Sequence, residues 1–133
     1  MDLISINRRD GKAFELRVRG HALTIDMSKE EGGADEGMNP VELLSGALGA
    51  CIAIMVQTYC DSHGYTDGDV AASLTFQIAD DPKRVGTIVI DLELPNDFPE
   101  DKKSAVERSQ LVSWLSSGPI STLSLLASGV RNR

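Results

Sequence analysis

Cys51 is the residue of this chain whose type and setting most clearly suggest chemistry. It ends the stretch NPVELLSGALGAC, residues 39–51, in which a polar turn and a proline open an apolar run rich in small residues. A cysteine thiolate is a nucleophile and is oxidised by peroxides, whereas a thiol buried in apolar surroundings is inert. Cys51 is therefore either a reactive thiol or a small core residue.

The second cysteine, Cys60, follows nine residues later. On one continuous helix, nine residues rotate a side chain by about 900° and move it roughly 13 Å along the axis. A disulfide needs Cα atoms within about 7 Å of each other, so an intrachain bridge is excluded on such a helix. Cys60 is expected to be a core or surface cysteine.

Other residue types that bind metals give no recognisable pattern. The acidic, glycine-rich segment 28–39 lacks the regular alternation of a calcium loop, and we interpret it as a connector. His21 and His63 stand alone without ligand spacing, and turn or helix-end roles are expected for them. The sequence predicts no metal site and no cofactor.

Length and composition favour one globular domain spanning residues 1–133. The formal charge of −7 argues against nucleic acid and anionic membranes as main partners. The apolar run 41–59 is interrupted by polar and small residues, which favours a core helix over a membrane span. The start of the sequence lacks the pattern of a signal peptide, so a cytoplasmic location is expected.

The elements that must position Cys51 follow from hydrophobic periodicity. Alternation predicts a three-stranded antiparallel meander in the first 27 residues, with Arg17 and Arg19 on its solvent face. Asn39 caps a long central helix that ends near 63–64, and apolar residues on almost every side predict that this helix is buried. A β-hairpin over 70–94, a second helix opening at Pro99 and a short helical turn at 120–126 complete an α+β domain.

The order of elements, the Gly-Gly loop, the motif N-P-x-E-L-L-x-x-A-L-G-A-C and the later Pro-Ile-Ser at 119–121 together resemble the OsmC/Ohr family. These are osmotically inducible and organic hydroperoxide resistance proteins, and the chain is similar to their divergent OsmC-like branch. The resemblance implies the OsmC-like fold and an intertwined homodimer. In such a dimer, two long central helices pack together and the active sites lie at the subunit interface.

The resemblance also implies a peroxidase mechanism. Cys51 matches the cysteine that attacks an organic hydroperoxide and becomes a sulfenic acid, which a second cysteine and an external dithiol then reduce. Arg9, in the hairpin sequence Arg-Asp-Gly, matches an arginine that stabilises the thiolate across the dimer interface. The alternative for Arg9 is a solvated hairpin tip.

Two positions depart from the family pattern. Gly118 stands where the resolving cysteine is expected, and Val41 stands where the catalytic glutamate is expected. Glu42 lies nine residues before Cys51, which places it about 180° away around the helix, so a structural role at the helix N-terminus is expected. Two functions stay open. One is the reduction of organic hydroperoxides through Cys51 with an external thiol resolving it, and the other is a noncatalytic dimer that binds a small apolar or thiol-reactive molecule.

Overall fold

The computed structural model describes residues 3–80, 83–106 and 124–132. The strands and the long helix are β1 (Ser5–Asp10), β2 (Ala13–Val18), β3 (His21–Ile25), α1 (Pro40–His63), β4 (Ala71–Asp80), β5 (Lys83–Leu94) and β6 (Ser124–Asn132). A second helix, α2, is described over residues 100–106. The chain separates into two compact units, Met1–Leu44 and Ser45–Arg133, and each is described by itself. The prediction of one domain over 1–133 stays a prediction.

The first unit contains the predicted antiparallel meander, in the order β1-β2-β3. Its register sets Ile6 opposite Leu16 and Leu16 opposite Leu23, so apolar side chains share one face of the sheet. On the other face, exposed Arg17 pairs with Glu15 at 2.6 Å, which confirms its predicted solvent position. Arg19 was predicted on the strand but lies in the β2–β3 turn with φ +50°. It falls one residue beyond Val18, because the turn forms earlier than expected.

The second unit packs one face of α1 against a three-stranded sheet of order β4-β5-β6. The buried core combines residues of α1, β5 and the region around α2: Leu48, Ile52, Val56, Cys60, Ile88, Ile90, Leu92, Leu94, Phe98 and Val106. Gly49 lets the helix approach the sheet, because a Cβ built there would lie 2.3 Å from Cδ1 of Leu74. The predicted α+β class is therefore confirmed.

Helix α1 has the predicted boundaries, and both ends have a physical cause. Pro40 occupies the first helical position, where a missing N–H is not needed. Gly64 adopts φ +74°, and the N–H groups of Gly64 and Tyr65 donate to the carbonyls of Asp61 and Cys60 at 3.3 and 3.0 Å. These two bonds form a Schellman motif, which satisfies the last carbonyls of the helix.

The C-terminal segment differs from the prediction. Residues 124–126 were predicted to be helical but belong to β6, which pairs in parallel with β5. A short apolar run does not distinguish a helix from a strand by its periodicity, and here the free edge of β5 decides the outcome. Residues 107–123, which include the rest of the predicted second helix, lie outside the described residues.

Helix α1 is also long and apolar enough to cross a membrane by length and composition alone. About a third of its most apolar 18-residue window, 33%, is buried inside the protein. The core helix of a globular protein meets the same criterion, and one face of α1 contributes to the core together with β5.

Candidate functional site

The start of α1 is closed by a reciprocal pair of side-chain hydrogen bonds. The Asn39 Oδ1 accepts from the backbone N–H groups of Val41 and Glu42, both at 2.9 Å. The Glu42 Oε2 accepts from the N–H of Asn39 at 2.8 Å. This arrangement is a capping box. It confirms the predicted cap at Asn39 and the predicted structural role of Glu42, whose carboxylate is engaged at the helix terminus.

Cys51 is half-buried and lies on the side of α1 that faces away from the core. Spacings of three and four residues align it with exposed apolar neighbours on one helix face. We call this face the apolar stripe: Leu44, Ala47, Cys51, Ile54 and Met55, of which Leu44, Ile54 and Met55 are 47%, 66% and 40% exposed. The prediction that α1 is buried is therefore correct for one face only. The other face is largely exposed in the described part of the chain.

Cys60 lies on the opposite side of the helix and is fully buried. Burial raises the pKa of the Cys60 thiol, and the nearby carboxylates of Asp61 and Asp97 act in the same direction. The thiol therefore stays protonated, as expected for a core cysteine. Both cysteines are free, and they point to different environments from one helix.

Arg9 lies at a β-bulge in β1 and is exposed. Its Nη1 donates to the Oγ1 of Thr24 on β3 at 3.1 Å, which orients the guanidinium along the polar face of the meander. The neighbouring Arg8 instead holds the hairpin turn, since its Nε donates to the carbonyl of Gly11 at 3.0 Å. Arg9 belongs to the first unit and Cys51 to the second, and the role of Arg9 at the thiol stays a prediction.

Of the remaining predicted positions, some lie within the described residues and some outside them. Val41 is half-buried in the first turn of α1. Gly118, Ile120 and Ser121 lie outside the described residues. Among residues 3–80, 83–106 and 124–132, no group of three or more His, Cys, Asp or Glu could hold a metal ion.

Only His63 occupies the predicted kind of position, as the last residue of α1. His21 was predicted in a turn but is the first residue of β3, because the turn before it is formed by Arg19 and Gly20. The His63 ring stacks on Tyr59 at 4.0 Å, and its Nδ1 is 2.8 Å from the Tyr59 carbonyl oxygen. His63 thus closes the C-terminal end of the helix by stacking and hydrogen bonding.

Sequence reasoning missed two buried polar residues. Asp26, directly after β3, is only 1% exposed. Burial by itself raises the pKa of Asp26, but hydrogen bonds from the backbone amides of Glu36, Met27, Ala34 and Asp35 outweigh it and hold the pKa below its usual value. Ser45, on the buried face of α1, is 4% exposed, and its hydroxyl has no hydrogen-bond partner among the described residues. A polar residue inside an apolar helix motif was the available signal for Ser45.

A comparison with protein families decides the assignment of the chain. The model of the family described as OsmC-like protein matches residues 32–116, which include the capping box and Cys51. The chain belongs to the OsmC-like protein family. The resemblance found in the sequence is thereby confirmed. No curated protein sequence matches the chain.

Solved structures of OsmC-like and related proteins share the fold over the whole chain. One is a Psychrobacter arcticus protein provisionally described as an osmotic stress induced and detoxification response protein, with a TM-score of 0.82, 15% identity, and coverage of 100% of this chain and 96% of that one. The organic hydroperoxide resistance protein OsmC of Legionella pneumophila has a TM-score of 0.72 and 13% identity, with coverage of 99% of this chain and 96% of that one. OhrB, the organic hydroperoxide resistance protein of Bacillus subtilis, has a TM-score of 0.64 and 12% identity, with coverage of 100% of this chain and 98% of that one. These likenesses confirm the predicted OsmC-like fold.

Proposed function

We propose that this OsmC-like protein reduces organic hydroperoxides through Cys51, in a stress or detoxification role, with an external thiol completing the cycle. The observation that carries the proposal is the position of the two cysteines. Cys51 occupies the motif position in the matched region and is half-exposed, whereas Cys60 is sealed in the core. Structural relatives described as organic hydroperoxide resistance proteins support the substrate class.

The reaction balances with one cysteine. The Cys51 thiolate attacks the distal oxygen of R–OOH, the O–O bond breaks, and R–O⁻ takes up a proton to leave as an alcohol. Cys51 is then a sulfenic acid. An external thiol condenses with it, releasing water and forming a mixed disulfide, and a second thiol restores Cys51 and leaves as the oxidised disulfide. The buried Cys60 cannot replace either external thiol, because it lies on the far side of the helix.

We further propose that Arg9 favours the thiolate form of Cys51 and that the protein is a homodimer. OsmC and Ohr relatives are typically dimeric. Two apolar surfaces support a second copy of the chain as the partner: the apolar stripe on α1, and the face of the meander on which Ile4 and Ile6 are 60% and 57% exposed. The helix carries no charged side chain between Glu42 and Asp61, so two copies of the stripe would not repel each other.

The alternative is a noncatalytic dimer that binds a small apolar or thiol-reactive molecule. Val41 and Gly118 stand where the family's glutamate and resolving cysteine are expected, and Cys51 is flanked by apolar side chains such as Ile54 and Met55. In either case we expect a soluble cytoplasmic protein that needs neither nucleic acid nor a membrane, which agrees with the acidic net charge.

The deciding experiment treats the reduced protein with cumene hydroperoxide and, separately, with hydrogen peroxide. Sulfenic acid at each cysteine is trapped and mapped by mass spectrometry, with a free small thiol as the rate reference. We expect Cys51 to react far faster than the free thiol, with the organic peroxide preferred. Cys51→Ser should abolish the fast phase, and the matched control Cys60→Ser should retain it. A Cys51 that reacts no faster than the free thiol would leave only the noncatalytic alternative.

A second experiment tests the homodimer by sedimentation velocity. Ile54→Glu places a charge in the apolar stripe and should convert the dimer into a monomer. Ile78→Glu is the matched control, because Ile78 is also a partly exposed isoleucine, at 39%, but lies on β4 outside both proposed surfaces. A monomeric wild-type protein, or equal loss of the dimer in both variants, would contradict this interface.

A further inference from the structure

Met55 is an exposed methionine on the same face of α1 as Cys51. It follows Cys51 by four residues and is 40% exposed, whereas the core of the second unit is built from residues that are almost fully buried. Residues four apart on a helix are neighbours, with Cβ atoms about 5–6 Å apart. Met55 thus places a long apolar side chain beside the thiol, and its exposure shows that this side chain does not serve to fill the core.

The direction of helical side chains brings the two residues together. Side chains on a helix lean toward its N-terminus. Met55 therefore leans toward Cys51, whereas the Cys51 thiol leans toward Ala47, one turn earlier. Methionine is unbranched and has several rotatable bonds. Its methyl group can therefore reach a molecule that is held at the thiol.

The other neighbours of Cys51 on the apolar stripe are less suited to such a contact. Ala47, on the N-terminal side, offers a single methyl group. Ile54 is 66% exposed, but it is β-branched and its χ1 angle is restricted. Methionine is flexible and polarisable, so it packs against apolar groups of different shapes. Met55 is therefore the neighbour that can follow the shape of a molecule at the thiol.

The charged side chains of α1 lie far from Cys51. The nearest in sequence are Glu42, nine residues before it, and Asp61, ten residues after it. These spacings correspond to roughly 13 and 15 Å along the helix axis. The contacts that α1 itself makes with a molecule at the thiol are therefore apolar, and they favour a molecule that carries an alkyl or aryl group.

We propose that Met55 is the specificity-determining residue of α1 for molecules that react at Cys51: its side chain packs against the alkyl or aryl group next to the reacting atom. The inference rests on the proposed function, because it takes Cys51 as the reacting residue, and it applies to an organic hydroperoxide and to another thiol-reactive molecule alike. A second copy of the chain on the apolar stripe leaves the pairing unchanged, since both residues belong to one helix. Met55 takes no part in the bond that forms.

The contact is tested with two maleimides, N-cyclohexylmaleimide and N-ethylmaleimide, which add to a thiol by the same reaction but differ in apolar area. The rate constant of each reagent with Cys51 is divided by its rate constant with a free small thiol, and peptide mapping assigns the product to Cys51. We call the ratio of the two normalised constants the apolar preference. We expect an apolar preference of about three to ten in the wild type, since the larger group buries more surface against Met55.

Substitutions of Met55 separate the apolar character of the side chain from its bulk. Met55→Gln keeps the length of the side chain but makes its end polar, so the apolar preference should fall to about one. Met55→Leu keeps an apolar side chain and should retain most of the preference. If Met55→Gln does not fold, Met55→Ala removes the same contact. Met38→Gln is the matched control, because Met38 is also a partly exposed methionine, at 44%, but lies outside α1, and it should keep the wild-type preference.

The outcomes separate this inference from the peroxidase proposal. A wild-type preference near one, an unchanged preference in Met55→Gln, or an equal fall in Met38→Gln overturns the role of Met55. A fall in Met55→Leu as large as that in Met55→Gln also overturns it, because apolar character would then not be the cause. The peroxidase proposal fails separately, through slow reaction of wild-type Cys51 with cumene hydroperoxide, since the maleimide rates do not depend on that reaction.

Discussion

Cys51 and Cys60 share one helix but face opposite environments. Cys60 is 0% exposed within the core, whereas Cys51 is half-buried on the apolar stripe. The nine-residue spacing causes the difference, since it turns the side chain by half a revolution beyond two full turns. The two thiols therefore act as an internal pair for comparison, with one accessible and one sealed.

Alkylation should separate the two thiols in the native protein. With iodoacetamide we expect Cys51 to be modified while Cys60 remains unmodified until the protein unfolds, because burial both blocks access and keeps the thiol protonated. Peptide mapping at increasing urea concentration measures this. Modification of Cys60 in parallel with Cys51 under native conditions would contradict the packing described for α1.

Gly49 lies against Leu74 whereas Gly46 lies in open space, so replacing each by Ala should change stability in opposite directions. Gly49→Ala should lower the free energy of unfolding by about 1 kcal/mol, because overpacking costs about 1–3 kcal/mol and the better helix propensity of Ala returns about 1 kcal/mol. Gly46→Ala is the matched control: nothing lies within 4 Å of its Cβ position, so it should stabilise by about 1 kcal/mol. Urea unfolding measures both.

A double variant tests whether Leu74 causes the strain. Leu74→Val in the Gly49→Ala background should recover part of the lost stability, although Leu74→Val alone should destabilise. Additive effects of the two substitutions would show that the helix and the sheet do not meet at this point.

The capping box predicts separate effects on stability and reactivity. Asn39→Ala removes the acceptor for two N–H groups and should cost about 1 kcal/mol of unfolding free energy. Glu42→Gln retains a side-chain oxygen that can accept from the Asn39 N–H, so both stability and the peroxide reaction rate should stay near wild type. A large loss of peroxide rate in Glu42→Gln would instead assign the carboxylate to the chemistry.

The sequence predicted local structure well where the determinants are local. The Asn-Pro start and the Gly64 end delimit α1, and the Asp-Gly turn marks the first hairpin. The parallel pairing of β6 with β5 was missed, because it depends on an edge that is distant in sequence. Apolar residues on almost every side of α1 indicated burial but not which face the chain itself would cover. The exposed stripe around Cys51 could therefore be identified only from the packing of the helix.

The buried carboxylate was missed for a related physical reason. A single Asp after an alternating strand is typical of a solvent-facing strand end, and only the return of residues 33–36 towards the end of β3 removes Asp26 from water. The backbone amides that compensate for its burial carry no sequence signature. The place of Cys51 on α1, by contrast, was predictable, because the motif that contains Cys51 also contains the start of the helix.

Asp26 predicts a specific acid sensitivity. Because its pKa in the folded protein is lower than the ordinary value of 3.8, its contribution to stability is fully present above that value and is lost as the pH falls below it. The free energy of unfolding of the wild type, measured in urea, should therefore fall steeply below about pH 4. Asp26→Asn should be less stable at neutral pH, and its stability should fall less over the acid range. The plots of unfolding free energy against pH for the wild type and the variant should therefore converge. Stability curves that stay parallel down to pH 2 would show that the backbone amides of residues 27–36 do not hold the Asp26 carboxylate ionised.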